Sequence, residues 1–130
     1  MWSNPTAKPR RPTPKQVAGQ RGERLAANYL QEQGLKPLRH NVLYRQGEID
    51  LIMQDDEQLV FVEVRYRQDD AYGGPLASVT ISKQRKLIKA AQRYLQQVYG
   101  DRPPSCRFDV VGICERQGLP HIEWIRNAFY

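Results

Sequence analysis

Apolar positions recur at helical spacing over residues 17–33, where "VAGQRGERLAANYLQEQ" sets Val17, Leu25, Ala26, Tyr29 and Leu30 near one face and Gly34 follows as a stop. The period then changes to two. After Pro37, "LRHNVLYR" reads as a strand that Gly47 ends, and "EIDLIM" and "LVFVEVR" follow as a second and third strand joined by the polar "QDDEQ". Ile49, Leu51 and Met53 alternate with Glu48, Asp50 and Ile52, as Val60, Val62 and Val64 do with Phe61, Glu63 and Arg65. Each of these strands therefore has an apolar face and a mixed one.

"YRQDDAYGGPLASVT" has no regular period and reads as a loop, in which Tyr72 either stacks on a base or packs on the sheet. Ser82 is the expected N-cap of a long helix, "KQRKLIKAAQRYLQQVY", with Leu87, Ile88, Ala91, Leu95 and Val98 inward and Gly100 as its stop. Beyond Pro103 and Pro104, "CRFDVVGIC" and "HIEWIRNAF" make two further strands, turned by "ERQGLP". The order α, β, β, β, α, β, β predicts an α/β fold, with a mixed central sheet of about five strands flanked by helices.

At 130 residues with 40% hydrophobic content, the chain fits one domain with a proper core. Its apolar runs are short and broken by charge, so neither a membrane span nor a signal peptide is expected and the cytoplasm is the default location. Cys106 and Cys114 lie eight apart in one predicted strand, roughly 26 Å along its axis, so no disulfide joins them. With two histidines and no CxxC pair, a structural zinc site lacks soft ligands. His40 and His121 have no ligand or nucleophile spacing around them.

The formal charge of +6 is concentrated at one end: residues 1–16, "MWSNPTAKPRRPTPKQ", carry four bases and no acid. The remaining domain, 17–130, holds sixteen bases against fourteen acids. The Pro-rich arm reads equally as a disordered solubilising terminus or as a DNA-contacting tail.

Charge inside the second and third strands is harder to place, because a carboxylate drawn out of water needs a partner, a metal or solvent. A turn of two or four residues pairs positions summing to 113, setting Asp50 opposite Glu63 and Glu48 opposite Arg65. A three-residue turn would put Asp50 and Glu63 on opposite faces, and "DDE" has no signature that fixes the choice. In the first register, two carboxylates half out of water want a shared proton or a divalent cation. Oxygen-only ligands select Mg²⁺ or Mn²⁺. Such an ion suits phosphodiester hydrolysis, with Arg65 placed to hold the phosphate. The competing reading makes Glu48 and Arg65 a cross-strand ion pair, with Asp50 and Glu63 solvated at a sheet edge. Glu23 is expected in the first turn of the first helix, where a carboxylate suits the helix dipole, and Gln84 on the inward stripe of the second, whose Lys83, Arg85, Lys86, Lys89 and Arg93 meet no acid on the same helix. Such a basic face suits a phosphate backbone.

Five stretches in order, "GERLAANYL", "GEIDLI", "FVEVRYR", "YGGPLASVTISKQRKL" and "FDVV", resemble the YraN-type proteins, a family of predicted endonucleases, over roughly residues 19–128. That family is similar to the archaeal Holliday-junction resolvases and to the restriction-endonuclease-like fold, whose signature is an acid followed by Glu-x-Lys. The resemblance implies that Asp50 is the signature acid, Glu63 the glutamate of Glu-x-Lys and Glu23 the helix carboxylate that completes a metal shell. It also implies the Val64 carbonyl as a further ligand, with Gln84 as the polar residue of the following helix. Arg65 stands where the wider fold has Lys; it can clamp a phosphate and cannot act as a base at neutral pH.

The expectation is thus a metal-dependent nuclease acting on DNA, branched, damaged or single-stranded, with a homodimer suggested by analogy to the resolvases. The alternative is a non-catalytic nucleic-acid-binding module that keeps the basic helix and a degenerate centre. A third reading is an interaction domain that has lost both functions. Asp109, in "FDVV", is expected to pair with a neighbouring base.

Overall fold

The computed structural model describes residues 11, 13–67 and 74–129. Most of the basic arm expected over 1–16, and Tyr72, lie outside them. Helix α1 (Pro14–Glu32) starts three residues before the apolar period, because its start is set by capping chemistry. Thr13 accepts from the Gln16 N–H, the Gln16 side chain accepts from the Thr13 N–H, and Pro14 opens the helix where its missing donor is harmless. Strands β1 (Lys36–Tyr44), β2 (Gly47–Asp55) and β3 (Gln58–Arg67) form an antiparallel meander. A short 3-10 turn at Leu76–Ser78 leads into α2 (Ile81–Tyr99), which crosses over to β4 (Cys106–Arg116); β5 (Leu119–Phe129) completes the sheet.

The strand order is β1-β2-β3-β4-β5, antiparallel except for the β3–β4 pair that α2 connects. This five-stranded mixed sheet with two helices is an α/β arrangement consistent with the restriction-endonuclease-like fold. α2 packs on one face: Leu87, Ala90, Ala91 and Tyr94 bury against Ile52, Phe61, Val110 and Phe129, with Phe61 stacked on Phe108 at 5.4 Å. α1 covers the other face with Ala26 and Leu30, against Leu51, Met53, Val60, Val62 and Val111. Two expected inward positions are corrected: Val17 and Val98 are about half exposed, because each lies near an end of its helix. The N-cap of α2 is Thr80 rather than Ser82; its side chain accepts from the Lys83 N–H, and Ile81 is already helical. Cys106 and Cys114 are free thiols on one strand, as expected.

Where β4 and β5 slip register beside Phe108, a buried polar node replaces the ladder. Asp109 is fully buried and accepts from Arg107 Nε at 3.0 and 3.2 Å, from Trp124 Nε1 at 2.9 Å and from the Asn127 N–H at 2.9 Å. Arg107 also reaches Asp55 at 2.9 Å and Gln58 at 3.0 Å. The expected pairing of Asp109 with a neighbouring base is met, and the bulge has its orphan N–H satisfied.

Candidate metal centre

The hairpin turn is two residues long. Asp55 faces Gln58 and Leu51 faces Val62, the register that a sum of 113 requires, with Asp56 in the left-handed region at φ 54°. That ladder ends at Leu51 and Val62, although both strands continue: β2 goes on pairing with β1, and β3 with β4. The two strands therefore fork. At the fork the Asp50 carboxylate accepts from the Val64 N–H at 2.9 Å, so a side chain takes the place of the missing strand partner.

The fork gathers acids. Glu23, half-buried on α1, meets Glu48 and Asp50 of β2, with one carboxylate oxygen from each lying within 4.8 Å of the others. Glu63 adds its charge from β3. Burial pushes the Asp50 carboxyl well above the ordinary range, and the Glu63 charge pushes it further; the Val64 N–H opposes this, while Glu23 and Glu48 add to it. Glu48 is raised by burial and then by Glu63. Glu23 is raised by burial, lowered by a hydrogen bond from the Asn41 side chain, and raised again by Glu48 and Glu63. Like charges in partial burial, with donors too few to match them, favour the uptake of protons or of a cation. The donors are all hard oxygens, which fits Mg²⁺ or Mn²⁺ and not zinc.

The competing sequence reading paired Glu48 with Arg65. Instead Arg65 Nη1 bonds Glu63 Oε2 at 3.2 Å, its Nε bonds Ser78 Oγ at 2.9 Å, and Glu48 turns to Glu23 and Asp50. Residues two apart in one strand share a face and meet more easily than residues of two strands that have parted. Ser78 is set in turn by its bond to the Pro75 carbonyl at 2.7 Å. Pro75 can approach because Gly112 lies beneath it; a Cβ there would stand 2.3 Å from the proline ring. The result is a guanidinium fixed in orientation at the wall of a groove of about 400 Å³, shared with Arg67, Pro75, Gly112 and Ile122.

Gln84 is half-buried, and its amide donates to the Val79 carbonyl at 3.1 Å, a helix-start contact rather than a bond to the acids. Lys83, Arg85, Lys86 and Lys89 are exposed along α2. The helix backbone at Lys86 lies against Gly47, where a Cβ would be 3.0 Å from the Lys86 carbonyl oxygen, so this basic helix abuts the start of the strand that carries Glu48. Glu48 and Asn41 are the residues that sequence reasoning missed as parts of the centre. Glu48 had a signal, since it lies two before Asp50 and shares its side of an alternating strand. Asn41 had none in the pattern, and its left-handed φ of 51° is visible only in three dimensions.

A sequence profile described as "Uncharacterised protein family UPF0102" matches residues 22–113. The chain belongs to this family. A UPF0102 protein of Nitrosococcus oceani is 48% identical over 119 residues, covering 92% of this chain and 96% of the relative. One from Coxiella burnetii is 51% identical over 114 residues, covering 87% and 92%. One from Psychromonas ingrahamii is 50% identical over 107 residues, covering 82% and 84%. The UPF0102 match spans Glu23, Glu48, Asp50, Glu63, Arg65 and Gln84, so the whole candidate centre falls inside it. No helix among the described residues is long and apolar enough to cross a membrane.

Proposed function

We propose that this UPF0102 protein is a metal-dependent DNA endonuclease that hydrolyses phosphodiester bonds, with branched or single-stranded DNA as substrate. The observation that carries the reading is the meeting of Glu23, Glu48 and Asp50 within 4.8 Å at a strand fork. Those three would hold Mg²⁺ or Mn²⁺, with Glu63 close enough to act on them by its charge. When bound, such an ion supplies Lewis-acid charge beside the phosphate and a more acidic water. Arg65, oriented by Glu63 and Ser78, clamps the phosphate by a charge-assisted fork. The basic face of α2, next to the centre, draws in the backbone electrostatically. The motif resemblance read in the sequence, which runs through the YraN-type proteins to the archaeal junction resolvases, is in keeping with this reading and suggests a homodimer.

The test is cleavage of branched, single-stranded and duplex DNA in Mg²⁺ and Mn²⁺, with Asp50→Ala and Glu63→Ala as controls. Cleavage that both variants abolish is expected; cleavage that survives in both removes the centre. A second reading, a DNA-binding module with a degenerate centre, is favoured by one observation: Arg65 stands where a lysine would orient water, and it is tied on both sides. Tight binding of DNA without cleavage under every condition selects that reading.

A further inference from the structure

We propose that the cavity between α1 and β1 is a nucleobase pocket, taking the base of an unpaired nucleotide beside the bond cut at the acidic centre; this rests on the nuclease reading. The cavity holds about 460 Å³, within the range of small-molecule sites. Ala27, Leu51 and Met53 give it an apolar floor, against which a flat ring packs at little cost in desolvation. Polar side chains stand at its rim: Gln20 and Arg24, on the same helix, and His40 from β1. A planar guanidinium beside an apolar floor suits a ring that presents both a π face and hydrogen-bonding edges.

Position ties the cavity to the chemistry. Glu23 lines it and also belongs to the acid cluster, so one side chain is the wall between pocket and centre. Asn41 lines it too, and its side chain bonds the Glu23 carboxylate. An occupant of this cavity is therefore no further than a neighbouring nucleotide from a phosphate held at the cluster. A base inside a duplex is stacked and paired and cannot enter, so the pocket selects a single strand or an unpaired nucleotide at a branch.

The experiment measures binding of a short single-stranded oligodeoxynucleotide in Ca²⁺, which replaces the catalytic ion, against the same strand with one abasic site moved along it. A duplex serves as reference. Wild type is expected to bind the intact strand about tenfold more tightly than the strand abasic at one particular position. Ala27→Phe, which fills the floor, and Gln20→Trp, which blocks the exposed rim without touching the core, are expected to bring that ratio towards one and leave duplex affinity unchanged. Wild type without an abasic penalty at any position overturns the pocket, as does an unchanged penalty in a folded Gln20→Trp variant. Cleavage by the same preparations in Mn²⁺ separates the two proposals. Asp50-dependent cleavage with no base preference overturns the pocket alone, whereas base preference without Asp50-dependent cleavage supports the pocket and removes the nuclease.

Discussion

Asp109 and Asp50 are both strand carboxylates drawn away from bulk water, in the same sheet, and the fold surrounds them in opposite ways. Asp109 accepts from a guanidinium, an indole and a backbone N–H, so its charge is matched and its geometry fixed. Asp50 accepts from a single backbone N–H and faces Glu23, Glu48 and Glu63. The first arrangement closes a bulge and has no capacity left for a ligand. The second is strained in the absence of a cation, and only an incoming positive charge or proton relieves it. What marks a buried acid as functional, then, is the deficit of donors around it rather than the burial itself.

The largest effect separates the two on stability. Asp109→Ala leaves Arg107, whose side chain is 12% exposed, with Asp55 as its one described carboxylate partner beside the Gln58 amide, and orphans the N–H groups of Trp124 and Asn127. Breaking a buried pair of this kind costs about 3–5 kcal/mol, read by urea titration. A loss below about 1 kcal/mol would show that the node is not tight.

Next in size is the response to metal. At a hundredfold excess over its dissociation constant, Mn²⁺ is expected to stabilise the wild type by about 2.7 kcal/mol. Asp50→Asn keeps an acceptor for the Val64 N–H but removes one ligand charge, so it is expected to be as stable as wild type in chelator, or more so, and to lose this response. Equal Mn²⁺ stabilisation of both proteins would mean that the ion binds elsewhere.

Proton binding gives a smaller effect with a definite sign. Glu23, Glu48 and Asp50 are all raised in the folded state, so between the ordinary carboxylate value and their raised values the folded protein holds more protons than the unfolded chain. Their contribution is fully present below the unfolded value and is lost as pH rises through the folded ones. In chelator, stability should fall with rising pH across that window, and Asp50→Asn should flatten the fall. A rise over the same window in the wild type would contradict the acid cluster.

Much of this comparison was legible in the chain. The period change at Pro37 and the apolar runs in "EIDLIM" and "LVFVEVR" located the hairpin, and the 113 register follows from a two-residue turn; the expected alternation breaks beside Asp50, since Ile49 packs with Ile52 on the α2 side while Leu51 and Met53 face α1. The partner of Arg65 was not legible, because register says which residues face each other only while strands stay paired, and here they part after Leu51 and Val62. The cap of α2 was missed for a related reason: Thr80 and Ser82 are both competent, and the packing of Val79 into the core decides between them. Glu23 was legible only weakly: read as an acid in the first turn of its helix, it was ordinary, but Thr13 caps α1 earlier and Glu23 lies mid-helix, where its approach to β2 depends on how α1 docks.

The smallest structural change carries the sharpest functional choice. Arg65→Lys exchanges a guanidinium bonded to Glu63 and Ser78 for an ammonium that can keep only part of that pairing. Both partners of the ion pair keep some contact with water, so the stability cost should stay below about 1 kcal/mol. The chemistry differs more. A lysine can shift its pKa and move a proton, which an arginine cannot do at neutral pH. If Arg65 acts as a phosphate clamp in a working nuclease, the substitution loses bidentate contact and slows cleavage while Mn²⁺ binding stays intact. If the wild type only binds DNA, because arginine has replaced the residue that orients water, the same substitution restores cleavage in a protein that had none. Slower cleavage and newly gained cleavage are opposite outcomes of one measurement, and both leave Asp109 and its partners undisturbed.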